Sequence, residues 1–119
     1  MIDTFISIKK YHEALGYNYE NYTLEEKMQA LRNNVLALNM EIAEVVSNTP
    51  WKPWRKIEYQ MFYKEDATEE IIDCLFFLGA ISEILNISPE DLGLAFDTIL
   101  RRNYIRIKNG YNNKPNERG

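Results

Sequence analysis

Cysteine and histidine are almost missing from this sequence: Cys74 and His12 are the only ones among 119 residues. One cysteine cannot close an internal disulfide, and neither a Cys-rich zinc site nor a His-pair zinc hydrolase can be assembled. A single histidine also excludes the paired Glu-x-x-His ligands of di-iron bundles. Positive charge is in deficit, with 14 Lys and Arg against 18 Asp and Glu and a formal net charge of −4. Such a chain lacks the cationic surplus that attracts phosphate backbones or anionic lipid, so no nucleic acid and no membrane are expected as partners. Long hydrophobic runs are absent too. The longest, Leu75 to Ile81, is far too short to span a bilayer. Asp3 lies near the start, and no apolar segment ending in a small-residue cleavage site follows it, so no secretory signal is expected. A soluble, cytoplasmic protein is the expectation.

What is present is ordinary for a globular chain: 45% hydrophobic and 27% charged residues, in a mass of 14.1 kDa that builds one core. One domain is expected over 1–111. The polar tail 112–119 has nothing to bury and is expected to fray. Strand alternation with hairpin turns is missing, and apolar residues recur at helical spacing almost throughout. A first helix is expected from Asp3 to about Leu15, stopped by Gly16, and Tyr17–Tyr22 reads as a connector. Thr23 and Glu26 form a capping-box pattern. Behind it Leu24, Met28, Leu31, Val35, Leu38, Ile42 and Val45 alternate steps of four and three, a seam that packs along a partner helix over 23–48. Pro50 and Pro53 interrupt the helical region. The next helix is expected from about Ala67 to Asn86, with Asp66 as N-cap. Its middle, Ile71 to Ile84, is apolar almost all round and should be the most buried part of the fold. Ser88-Pro89-Glu90-Asp91 starts a last helix that runs to about Asn109 and stops at Gly110. The fold class is all-α, a bundle of about four helices.

Two carboxylate pairs stand out. Glu41 and Glu44, and Glu70 and Asp73, are each spaced i,i+3, about 60° apart around a helix with about 4.5 Å of rise, so both members of a pair reach one point. Each pair alone is compatible with a solvated face. Asp73, however, falls inside a helix otherwise apolar around its circumference, where a lone carboxylate is costly. Two pairs on helices that share a core suggest four acids around one site. Such acids repel unless a hard divalent cation neutralises them, and oxygen ligands select Mg²⁺, with Mn²⁺ as substitute. On the last helix the stripe Leu92, Phe96, Ile99 continues into Asn103 and Arg106. Bases near a helix C-terminus also compensate the dipole, which accounts for Arg106 but not for Asn103. The segment Trp51–Lys56 carries both tryptophans; these either cap the bundle end or, with Lys52, Arg55 and Lys56, hold a phosphate or stack on a base. Cys74 reads as a small core residue and His12 as a surface side chain.

Taken in order, Glu41-x-x-Glu44, Trp51-Lys52-Pro53-Trp54-Arg55-Lys56, Glu70-x-x-Asp73 and Asn103-x-x-Arg106-x-x-x-Gly110-Tyr111 resemble the all-α nucleoside triphosphate pyrophosphatases. These include MazG-like proteins and dimeric dUTPases, and the likeness is greatest to the dUTPase and dCTPase-dUTPase branch found in tailed phages. It covers about residues 24 to 111. The resemblance implies Mg²⁺-dependent cleavage of the bridge between the α- and β-phosphates, releasing a nucleoside monophosphate and pyrophosphate. It implies Glu41, Glu44, Glu70 and Asp73 as metal-holding and catalytic acids, one of which orients the attacking water. Asn103, Arg106 and Tyr111 match positions that hold the phosphate chain, and Lys52 with Trp54 matches a loop at the site. Three positions depart from the branch's usual pattern: Phe76 stands for His, Ile107 for Gln and Ile99 for Lys. They bear on the base rather than the metal. dUTP is the favoured substrate, with dCTP or a purine dNTP as alternatives. Related enzymes assemble as dimers or tetramers and often complete the nucleotide pocket from a neighbour, so a homodimer or homotetramer is expected. Apolar residues lying off the seam, Leu36 and Met40 among them, point the same way. A competing reading of another class is a non-catalytic helical interaction module.

Overall fold

The structure is a computed structural model in which residues 1–110 are described; Tyr111 and the tail 112–119 lie outside them. Four α-helices and two short 3₁₀ turns make up the regular structure of the described residues, and none of them is in a strand. The helices are α1 (Ile2–Ala14), α2 (Leu24–Ser47), α3 (Lys64–Ile84) and α4 (Pro89–Lys108). The expected all-α, four-helix chain is what forms.

The ends of the helices follow from local chemistry. Thr23 caps α2 by accepting from the Glu26 amide while the Glu26 carboxylate accepts from the Thr23 amide, and Ser88 with Asp91 does the same for α4. α1 ends in a reversal in which Gly16, at φ +93°, lets the Tyr17 amide reach back to the His12 carbonyl. Asn86, at φ 59°, makes the matching turn after α3, with the Ile87 amide donating to the Ser82 carbonyl. One start is corrected. α3 begins at Lys64 after Tyr63, not at Ala67 after an Asp66 cap, and Tyr63 makes no side-chain capping bond. Glu65 and Asp66 fall in the first turn instead. There they complement the helix dipole, while the Tyr63 amide donates to the Asn48 carbonyl and ties the start of α3 to the end of α2.

α2 and α3 form an antiparallel pair, the main packing unit of the described chain. The face that α2 turns inward is rotated from the expected seam. Leu31, Leu38 and Val45 are half-buried as expected, but Leu24, Val35 and Ile42 are exposed, and Ala30, Asn34, Ala37 and Glu41 take their share of the contact. Of these, Ala30, Asn34 and Glu41 border a cavity between α2, α3 and α1. α3 does hold most of the buried residues, Ala67, Cys74, Gly79, Ala80, Ser82 and Ile84. Its circumference is not covered all round, since Ile71 and Ile72 remain 50% and 46% exposed. Asp73, expected to be buried, lies on another face, one turn before Phe76, and is exposed.

α1 crosses both later helices by means of two glycines. A Cβ on Gly79 would stand 2.6 Å from Ile8 Cγ2, and one on Gly93 would stand 2.5 Å from Ile2 Cδ1. At Gly79 the buried Ile8 has no slack for an added carbon, which would push the helices apart, whereas at Gly93 the exposed end of Ile2 has room to turn aside. His12, expected at the surface, is buried by this crossing. α4 does not fold back along α3: the two axes are bent by 108°. Among the described residues no single helix is long and apolar enough to cross a membrane.

Candidate active site

Glu41 and Glu44 sit one turn apart near the C-terminal end of α2, and Glu70 lies two turns into α3, on the facing helix. Antiparallel pairing brings them together. One carboxylate oxygen from each lies within 4.8 Å of the other two. Glu41 and Glu70 are half-buried and Glu44 is exposed, while Glu70 Oε2 is buried with no hydrogen-bond partner. A proton shared with the neighbouring Glu41 carboxylate, then burial, then Glu44, pushes the Glu70 carboxyl up to about 7. Such a group keeps a proton where an ordinary glutamate has lost it. The same field, after burial itself, raises the Cys74 thiol behind the acids.

Asp73 stands outside this three-acid group but lines the same cavity as Glu41. That cavity, about 1040 Å³, lies between α1, the Tyr17–Tyr22 connector, α2 and α3. Its far wall is aromatic: Tyr17 stacks on Tyr19 at 5.9 Å and 8°, and Tyr11 meets Phe76 edge-on at 5.5 Å. Burial, followed by the neighbouring Glu83, pushes the Tyr19 hydroxyl up to about 12.

The loop after α2 lies at the same end of the helix pair as the acids. Trp51 and Trp54 pair edge-on at 5.4 Å, yet Trp54 is 69% exposed. The indoles pack on each other rather than capping the bundle within one chain. Gln60 sets the loop's shape: its amide oxygen accepts from the Lys52 amide at 3.0 Å, and its NH₂ donates to the carbonyls of Lys52 and Arg55. Nothing in the local pattern marked Gln60, because its partners are main-chain groups. Asn103 is exposed and Arg106 half-buried on α4. Neither lines the cavity, and neither is among the groups that perturb Glu70. Tyr111 lies outside the described residues.

A family model described as dUTPase matches residues 8–107, from the middle of α1 almost to the end of α4. The chain belongs to the dUTPase family. It is a nucleoside triphosphate pyrophosphatase, and its substrate is a nucleotide. No curated protein and no solved structure matches it. In this dUTPase-family enzyme the three gathered carboxylates present hard oxygen donors only. The partnerless Glu70 Oε2 among them fits a divalent cation, which would satisfy the orphaned oxygen and remove the mutual repulsion.

The crowding predicts how the metal-free enzyme responds to pH. Between the ordinary glutamate value of 4.5 and about 7, the folded chain holds a Glu70 proton that the unfolded chain has released. Raising the pH through that window therefore lowers stability, and above it the group adds no further slope. Glu83, also raised by its burial, acts with the same sign and is common to both proteins compared. Thermal melts in EDTA should show a steeper fall in melting temperature from pH 4.5 to 7 for the native chain than for Glu70→Gln. Parallel profiles would mean that the carboxylates do not interact.

Proposed function

We propose that the chain is a Mg²⁺-dependent deoxynucleoside triphosphate pyrophosphohydrolase that acts on dUTP, with dCTP and then purine dNTPs as the next substrates. The observation that carries this reading is the set Glu41, Glu44 and Glu70, each with a carboxylate oxygen within 4.8 Å of the others, beside a cavity of nucleotide size. Glu41, Glu44 and Glu70 hold the cation, with Mn²⁺ as a substitute. Asp73, exposed to the cavity next to Glu41, orients the attacking water and takes up its proton. Mg²⁺, when bound, neutralises the triphosphate and favours attack on phosphorus. Water adds across the α–β bridge, the bridging P–O bond breaks, and dNMP and pyrophosphate leave with release of a proton.

In this reading the phosphates are held by Lys52, Asn103, Arg106 and Tyr111, with Trp54 on the loop beside them. Asn103 and Arg106 lie on a helix that leaves α3 at 108°, so they serve the site of a second copy in a homodimer. The exposed apolar residues of α3 and α4 support that assembly. The alternative of a non-catalytic helical module gains nothing from a cluster of repelling acids. A panel of dNTPs with and without Mg²⁺, read by pyrophosphate release, tests the reading. Turnover of dUTP ahead of the other dNTPs and its loss in EDTA are expected; no pyrophosphate from any dNTP would overturn it.

A further inference from the structure

The cavity has a second polar centre, on the wall away from the acids. His12 is only 8% exposed, and its Nδ1 lies 2.9 Å from both carboxylate oxygens of Glu83. A carboxylate only accepts, so the Nδ1 proton is fixed by Glu83 and the other ring nitrogen, Nε2, is left to face another group. The imidazole lines the cavity, edge-on to Phe76 at 6.2 Å, with Tyr19 also in the wall. Phe76 and Ala80 lie one and two turns beyond Asp73 on α3, so the aromatic wall extends about 10 Å from the acid end, comparable to the length of a nucleoside. Aromatic walls with one oriented polar group suit a flat heterocycle: rings take its faces and Nε2 meets its edge.

We propose that His12, positioned by Glu83, is the group that reads the nucleobase of the substrate. This rests on the nucleotide pyrophosphatase reading of the site, and it assigns a role to a pair that the metal chemistry does not use. Glu83 is a positioning residue; it touches the imidazole, not the base. The competing account is that the pair only fastens α1 to α3.

His12 is the only histidine in the chain, so a long-range ¹H–¹⁵N spectrum of the intact protein contains one imidazole. Saturation with dUMP should shift the Nε2 resonance while Nδ1 stays near its place, and inorganic pyrophosphate, which carries no base, should leave both unmoved. Glu83→Gln can donate as well as accept, which frees the tautomer. It should change the ratio of kcat/KM between dUTP and dCTP by about tenfold, the worth of one base-edge hydrogen bond. An Nε2 resonance unmoved by dUMP, with binding detected by tryptophan fluorescence, would overturn the proposal. So would a Glu83→Gln enzyme that loses activity equally on every dNTP. Should Glu83→Gln fail to fold, the native spectrum alone decides. Absence of hydrolysis of any dNTP by the native chain strikes at the function reading instead, and the dUMP spectrum keeps the two failures apart.

Discussion

Glu44→Gln should lower Mg²⁺-dependent pyrophosphate release by about 100-fold or more, the usual cost of losing a metal ligand or its partner. The amide keeps the shape of the side chain and removes only its charge, so a loss of this size reports on the cation rather than on packing. Glu44 is the exposed member of the three-acid group, which leaves it little structural work to lose. Stability gives an independent readout. Where Glu41, Glu44 and Glu70 crowd one another without metal, neutralising one should preserve or raise the melting temperature in EDTA, and should weaken the stabilisation that Mg²⁺ confers. Asp73→Asn makes the sharper comparison. Asp73 lies outside the 4.8 Å group yet in the same cavity, so its loss should cost turnover as heavily while leaving most of the Mg²⁺-induced shift in melting temperature. Near-normal turnover in either variant removes that residue from the site.

How much of this was legible in the sequence follows from the range of each interaction. The capping box at Thr23, the Ser88 cap and the stop at Gly16 depend on residues within five positions of one another, and all three form, Ser88 gaining a reciprocal bond with Asp91 besides. The pairing of Glu41 and Glu44 with Glu70 was within reach as well, because each acid lies on a helix whose apolar face has to meet the other. Burial was less legible. An apolar circumference on α3 implies a buried Asp73, but the helix faces an open cavity at Asp73 and Glu41, and one chain leaves Ile71 and Ile72 uncovered on another side. The α2 face is rotated for a related reason: the half-buried side runs through Ala30, Asn34, Ala37 and Glu41, and an apolar count ranks Leu above Ala and ignores Asn and Glu. His12 and Glu83 are 71 residues apart. Their pairing depends on the crossing of α1 at Gly79, and a glycine in a helix carries no sign of which helix will come to it.

The enzyme should sediment as a homodimer at micromolar concentration and lose activity on dilution. The chain exposes 9365 Å² of surface, whereas a compact monomer of 14.1 kDa exposes about 6,700 Å². The excess is larger than the last nine residues could contribute with every atom bare. Much of it is apolar: Leu94, Phe96, Ile99, Leu100, Ile105 and Ile107 on α4 are each more than two-fifths exposed, and Phe96, Leu100 and Ile107 share one face of the helix, the kind of surface that a partner covers. α4 turns away from α3 by 108°, so its own chain does not cover that surface. A second copy does so through an isologous interface, which would also carry Asn103 and Arg106 toward the acids of its neighbour. Complementation tests the shared site directly. Asp73→Asn and Arg106→Ala should each be inactive alone. After unfolding, mixing in equal amounts and refolding, half the dimers are mixed, and in each of these one site carries both lesions while the other carries none. About a quarter of all sites should then regain native activity. A mass of one subunit with full activity on dilution, or no recovery in the mixture, would sink the shared site and return Arg106 to a role within its own chain.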